Sequence, residues 1–154
     1  MFIKAALVMA AVLVTTATAL AQTQTQTNSP AMSDADAVRH LMKSTWDKPA
    51  EPVVMPYIVV ASDYAIAGWT QGEMGGRALL RKKADAWSII LCAGDQLRET
   101  ETLHKAGVPD AIARRLAADL ARSESSLPPK DVAMFSRFEG LVTMDPSSGR
   151  AHGH

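Results

Sequence analysis

The chain has 154 residues, of which 47% are hydrophobic, and its 16 basic residues balance its 16 acidic ones. That balance excludes a protein built to hold nucleic acid or an anionic membrane through a basic face. The length fits one ordinary domain able to bury a core without staples, and because Cys92 is the only cysteine, an intrachain disulfide is excluded.

Lys4 precedes the apolar run Ala5 to Val14, and the segment closes on Ala19-Leu20-Ala21 before Gln22. This is the pattern of a cleavable signal peptide over residues 1–21. Thr15, Thr16 and Thr18 break the run well short of the roughly 20 apolar residues that a membrane span needs. The expected mature protein is therefore exported to an oxidising compartment and free of the membrane once cleaved. It carries 15 basic against 16 acidic residues, a formal charge of −1, because only Lys4 leaves with the signal.

Residues 22–31 (Gln-Thr-Gln-Thr-Gln-Thr-Asn-Ser-Pro-Ala) offer nothing large and apolar to bury, and read as a disordered linker. A single α+β domain is expected over 32–145. Ser33 with Asp36 forms a capping pattern, and Val38, Leu41, Met42, Thr45 and Trp46 recur at helical spacing until Pro49, which predicts a helix from Asp34 to Trp46. Four β-rich runs follow at Val53 to Val60, Tyr64 to Gln71, Arg77 to Lys83 and Trp87 to Ala93. Their connections are too short for crossover helices and imply a four-stranded antiparallel meander, with Gly72 to Gly76 as a hairpin loop. In the last strand, strict alternation puts Trp87, Ile89 and Leu91 on one face and Ser88, Ile90 and Cys92 on the other.

Beyond Gly94 the pattern is helical again. Leu97 to Ala106 stops at Gly107, Pro109 opens a second helix with Ile112, Leu116 and Leu120 on one face, and Pro128-Pro129 opens a third in which Val132, Phe135 and Phe138 are expected to be buried. Leu141 to Met144 has the makings of a short extended piece. Residues 146–154 form a His-containing tail expected to be flexible. The predicted architecture is an N-terminal helix, the meander, and C-terminal helices packed on one sheet face.

Two chemistries fail on local grounds. The Gly72 to Gly76 segment joins two antiparallel strands instead of leading a strand into a helix, so it lacks the geometry of a phosphate cradle. Cys92, Asp95 and His104 contain the residue types of a thiol hydrolase, but a cysteine at the end of an apolar strand reads first as a small core residue. The soft-metal inventory is fuller. Thioether and thiolate suit Cu(I), and imidazole suits Cu(II) and Zn(II). Met42 and Met134 sit on core faces, whereas Met32, Met74 and Met144 are freer, and His40 falls on the polar side of the first helix. His152 and His154 in the tail can place two imidazoles on one ion.

The stretch Pro52-Val53-Val54 through Asp63-Tyr64-Ala65-Ile66-Ala67-Gly68-Trp69-Thr70-Gln71-Gly72, Gly75-Gly76-Arg77-Ala78-Leu79-Leu80-Arg81, Trp87 and Leu91-Cys92-Ala93-Gly94-Asp95 carries a resemblance. It resembles the small exported bacterial copper uptake system-associated proteins, over about Val38 to Met144 and including Asp47-Lys48-Pro49 and Phe138-Glu139-Gly140. The resemblance implies a periplasmic protein acting beside machinery that imports or delivers copper, and it carries no catalytic residues. The expectation is a non-enzymatic copper accessory whose partners are a copper receptor or a periplasmic copper chaperone. Its first candidate donors are His152, His154 and Met144, followed by Cys92, His104 and Met74. The alternative is a metal-free interaction module that works through its sheet and the Gly72 to Gly76 segment.

Overall fold

The structure, a computed structural model, describes residues 31–144. The predicted signal peptide, nearly all of the linker and the tail with His152 and His154 lie outside the described residues. The chain runs α1 (Asp34–Trp46), β1 (Val54–Ala61), β2 (Tyr64–Gln71), β3 (Met74–Lys83), β4 (Ala86–Ala93), a 3-10 turn (Asp95–Arg98), α2 (Thr100–Lys105), α3 (Asp110–Ser125), α4 (Pro129–Phe135) and β5 (Leu141–Thr143). The class is α+β, and the strands form one antiparallel sheet in the order β1-β2-β3-β4-β5. It has five strands where four were expected, because Leu141, Val142 and Thr143 pair with Ala93, Cys92 and Leu91. Among the described residues no helix is long and apolar enough to cross a membrane.

Each face of the sheet buries its own cluster. One joins Tyr57, Val59, Ile66, Leu79 and Leu91 to Leu103, Leu116, Leu120 and Phe135 of the C-terminal helices. The other joins Ala65, Ala67, Ala78, Leu80 and Cys92 to Val38 and Met42 of α1. α1 starts where its cap predicts, with Ser33 Oγ accepting from the Asp36 amide at 3.1 Å. Asp34 then accepts from Lys82 Nζ (2.8 Å) and Trp87 Nε1 (3.1 Å), which pins the helix start over the β3–β4 hairpin and holds its carboxyl below the usual carboxylate range.

Three expectations need correcting. Gly72 to Gly76 is not a five-residue loop: β2 runs to Gln71 and β3 begins at Met74, with Gly72 at φ +56° in a two-residue turn. Gly75 and Gly76 belong to β3, paired with Thr70 and Trp69 of β2, and other chain segments press on them. A Cβ on Gly75 would lie 2.6 Å from the Met134 carbonyl oxygen, and one on Gly76 would lie 2.8 Å from Phe138 Cβ.

Strict alternation fails in β4. Leu79 pairs with Leu91 but Leu80 pairs with Ile89, so Ile90 is an extra residue, a β-bulge. Trp87, Ile89 and Cys92 consequently face α1, while Ile90 and Leu91 face the C-terminal helices. The third correction concerns Phe138, which does not share a face with Phe135. Phe135 lies in the C-terminal-helix cluster and Phe138 packs on the α1 cluster, so the chain passes around the edge of the sheet between them.

Candidate functional site

The bulge at Ile90 has a chemical consequence, because it turns the Cys92 side chain toward α1. On that side Cys92, Val142 and Met144 meet Trp46, Val53, Trp69, Gln71 and Phe138 around a cavity of about 240 Å³. Strand pairing sets most of this wall. Cys92 lies opposite Val142, and the Met144 amide donates to the Ile90 carbonyl at 2.7 Å, which keeps Met144 beside β4. Gly76 of β3 lets the rings close over the strand, since a Cβ there would lie 2.8 Å from Phe138 Cβ and 3.1 Å from Trp69 Cζ2.

Those rings hold each other in place. Trp69 packs on Trp46 with centroids 6.4 Å apart and meets Phe138 edge-on at 5.9 Å. Gln71 Nε2 donates to the carbonyls of Trp46 and Glu51, both at 2.8 Å, and so fastens the last residue of α1 to the end of β2. Asp47 Oδ1 accepts from the Val53 amide at 2.6 Å and fixes the loop that brings Val53 to the cavity. Trp69 Nε1 is buried and finds no hydrogen-bond partner among the described residues.

Cys92 is 2% exposed and a free thiol. Burial in apolar surroundings pushes its pKa up to about 12, so the thiol is protonated at neutral pH and inert as a nucleophile unless something displaces the proton.

Of the predicted donors, the structure brings Cys92 and Met144 together. Met74 sits at the β2–β3 hairpin, 49% exposed and away from the cavity lining. His104 is exposed on α2, whose Leu103 packs in the core on the opposite side of the sheet from Cys92. The hydrolase arrangement is thereby broken: Cys92 and His104 are separated by the sheet, and Asp95 accepts from Arg77 (3.2 Å) and Ser136 (2.8 Å) instead. His40 is exposed, as expected. Among the described residues no three of His, Cys, Asp and Glu converge as a metal-binding group.

The other face carries a buried charge network. Arg77, 0% exposed, donates from Nε to Glu124 Oε1 at 2.7 Å, and Tyr57 OH donates to the same oxygen at 2.6 Å. The Arg77 guanidinium also lies 5.6 Å from the centre of the Phe135 ring. Burial and the carboxylate beside it push the Tyr57 hydroxyl far above its ordinary range. The signal for this network lay in the hairpin register, which places Tyr57, Gly68 and Arg77 in one row across three strands. Gly68 is required there, because a Cβ would collide with the Tyr57 ring. Arg98 stands 3.7 Å from Glu124 Oε2, too far for a hydrogen bond, so that oxygen and Arg77 Nη2 have no partner among the described residues.

The chain matches no family model, no curated protein and no solved structure.

Proposed function

We propose that this is a non-enzymatic periplasmic accessory of copper uptake or delivery that carries copper as cargo for a receptor or chaperone. The observation that supports it is the convergence of Cys92 and Met144, two sulfur donors far apart in sequence, on one cavity walled by Trp46, Trp69 and Phe138. Sulfur donors select soft metals. The resemblance through Ala-Ile-Ala-Gly-Trp and Gly-Gly-Arg-Ala-Leu-Leu supplies the biological setting, and the signal-peptide pattern supplies the compartment.

A gene deletion in the host tests the reading. Cells lacking the protein are expected to hold less copper in copper-poor medium and to regain it from a plasmid copy that keeps residues 1–21 but not from one that lacks them. An unchanged copper quota would refute the proposal.

A second reading, a metal-free module that supports a transporter or chaperone through its sheet, is favoured by one observation. β5 is an edge strand whose Leu141 and Val142 are each 46% exposed. The same deletion strain separates the two. Rescue by a copy carrying Cys92→Ala, Met144→Leu, His152→Ala and His154→Ala would favour the module, and failure of that copy would favour the carrier.

A further inference from the structure

We infer that the cavity takes copper as Cu(I), held between the sulfurs of Cys92 and Met144, and that the tail imidazoles are not needed for it. The inference rests on the copper reading above and deepens it by assigning the oxidation state and the donors.

The donor set is the first reason. The lining offers a thiol and a thioether and contains neither imidazole nor carboxylate. Cu(I) favours such ligands, whereas Cu(II) and Zn(II) draw on nitrogen and oxygen. Charge is the second. None of the lining residues carries a formal charge when Cys92 is protonated. Cu(I) on the Cys92 thiolate makes a neutral pair, which an apolar cavity tolerates. Cu(II) on the same thiolate leaves a net positive charge with no second anion to balance it, and an unbalanced charge in such surroundings is costly. The indoles of Trp46 and Trp69 supply aromatic surface that suits a soft monovalent cation.

Binding is a proton exchange. The Cys92 S–H bond breaks, a Cu–S bond forms, the proton leaves to solvent, and no electron is transferred.

The test is competition for Cu(I) against a chromogenic chelator, without oxygen, at pH 7, using the purified protein and three variants: Cys92→Ser, Met144→Leu and the pair His152→Ala with His154→Ala. Cu(II) is titrated in parallel against its own competitor. The expected result is one Cu(I) per chain with quenched tryptophan fluorescence. Affinity should fall about 100-fold in Cys92→Ser and about tenfold in Met144→Leu, while the histidine pair stays within about twofold. The stoichiometry and the preference for Cu(I) over Cu(II) are read on the unaltered protein, so they stand even where a variant folds poorly. Cu(I) binding that ignores Cys92→Ser and Met144→Leu, Cu(I) binding that disappears with the histidines, or tighter competition for Cu(II) than for Cu(I) overturns this inference and leaves the copper reading in place. Failure to compete for copper in either oxidation state overturns both.

Discussion

The two faces of the sheet are built to different standards. On the C-terminal-helix side a charged residue is fully enclosed, and Tyr57, Glu124, Asp95 and Phe135 converge to accommodate it. On the α1 side the residues are smaller and the rings stand further apart, and the space they leave contains two sulfurs and no formal charge. An enclosed ion network is costly to disturb, because removing one member leaves the other uncompensated. An apolar cavity forgoes some dispersion energy and in return offers room. The difference separates a face braced by an enclosed ion network from a face that keeps an apolar cavity.

The sharpest way to break that contrast is Glu124→Ala, which leaves Arg77 buried without its main partner. It should cost about 3–5 kcal/mol in chemical denaturation, whereas the double change Arg77→Met with Glu124→Leu should recover much of the loss. Gly68→Ala strikes the same face by forcing a methyl group into the Tyr57 ring, and a loss of about 1–3 kcal/mol is expected from the denaturation midpoint. On the α1 face, Cys92→Ala should cost only about 1 kcal/mol, in keeping with the loss of one small apolar group beside an existing cavity.

Alkaline pH sharpens the comparison further. The folded state holds the Cys92 proton more tightly than the unfolded chain does, with a pKa near 12 against 9.0. The stability this provides is fully present below about pH 9 and is lost as pH climbs toward 12. Denaturation at pH 8 and pH 10.5 should therefore show the unaltered protein losing stability relative to Cys92→Ala. Parallel curves for the two would mean that the thiol is not enclosed as described.

Much of the framework could be read from local signals. The Ser33 cap, Pro49, Gly107, Pro109 and the Pro128-Pro129 pair mark where helices start and stop, because caps and prolines act within a few residues. The hairpins followed from connections too short for anything else. The site was less legible. Cys92 and Met144 were named as donors, but nothing local announces the single extra residue at Ile90 that turns Cys92 toward α1, since a bulge is decided by two strands together. Phe138 was expected to be buried in one helix with Phe135, but the helix ends at Phe135 and Phe138 is only partly buried on the other cluster, because its path depends on Gly76 and Gly94 admitting the chain closely, and only tertiary contact shows that. For Arg77 the hairpin register was the one available signal, and of the network's other members it places only Tyr57 in the same row, while Glu124 comes from a distant helix.

That long reach bears on the order in which the protein is made. Glu124 follows Arg77 by 47 positions, so a chain emerging N-terminus first from a ribosome presents the guanidinium well before the carboxylate. Hairpins that closed over Arg77 early would trap a bare charge at a cost of several kcal/mol. Completion of the core is thus tied to completion of the chain. A product cut short before Glu124 lacks the partner of Arg77 and is expected to be cut faster by proteases than the full chain.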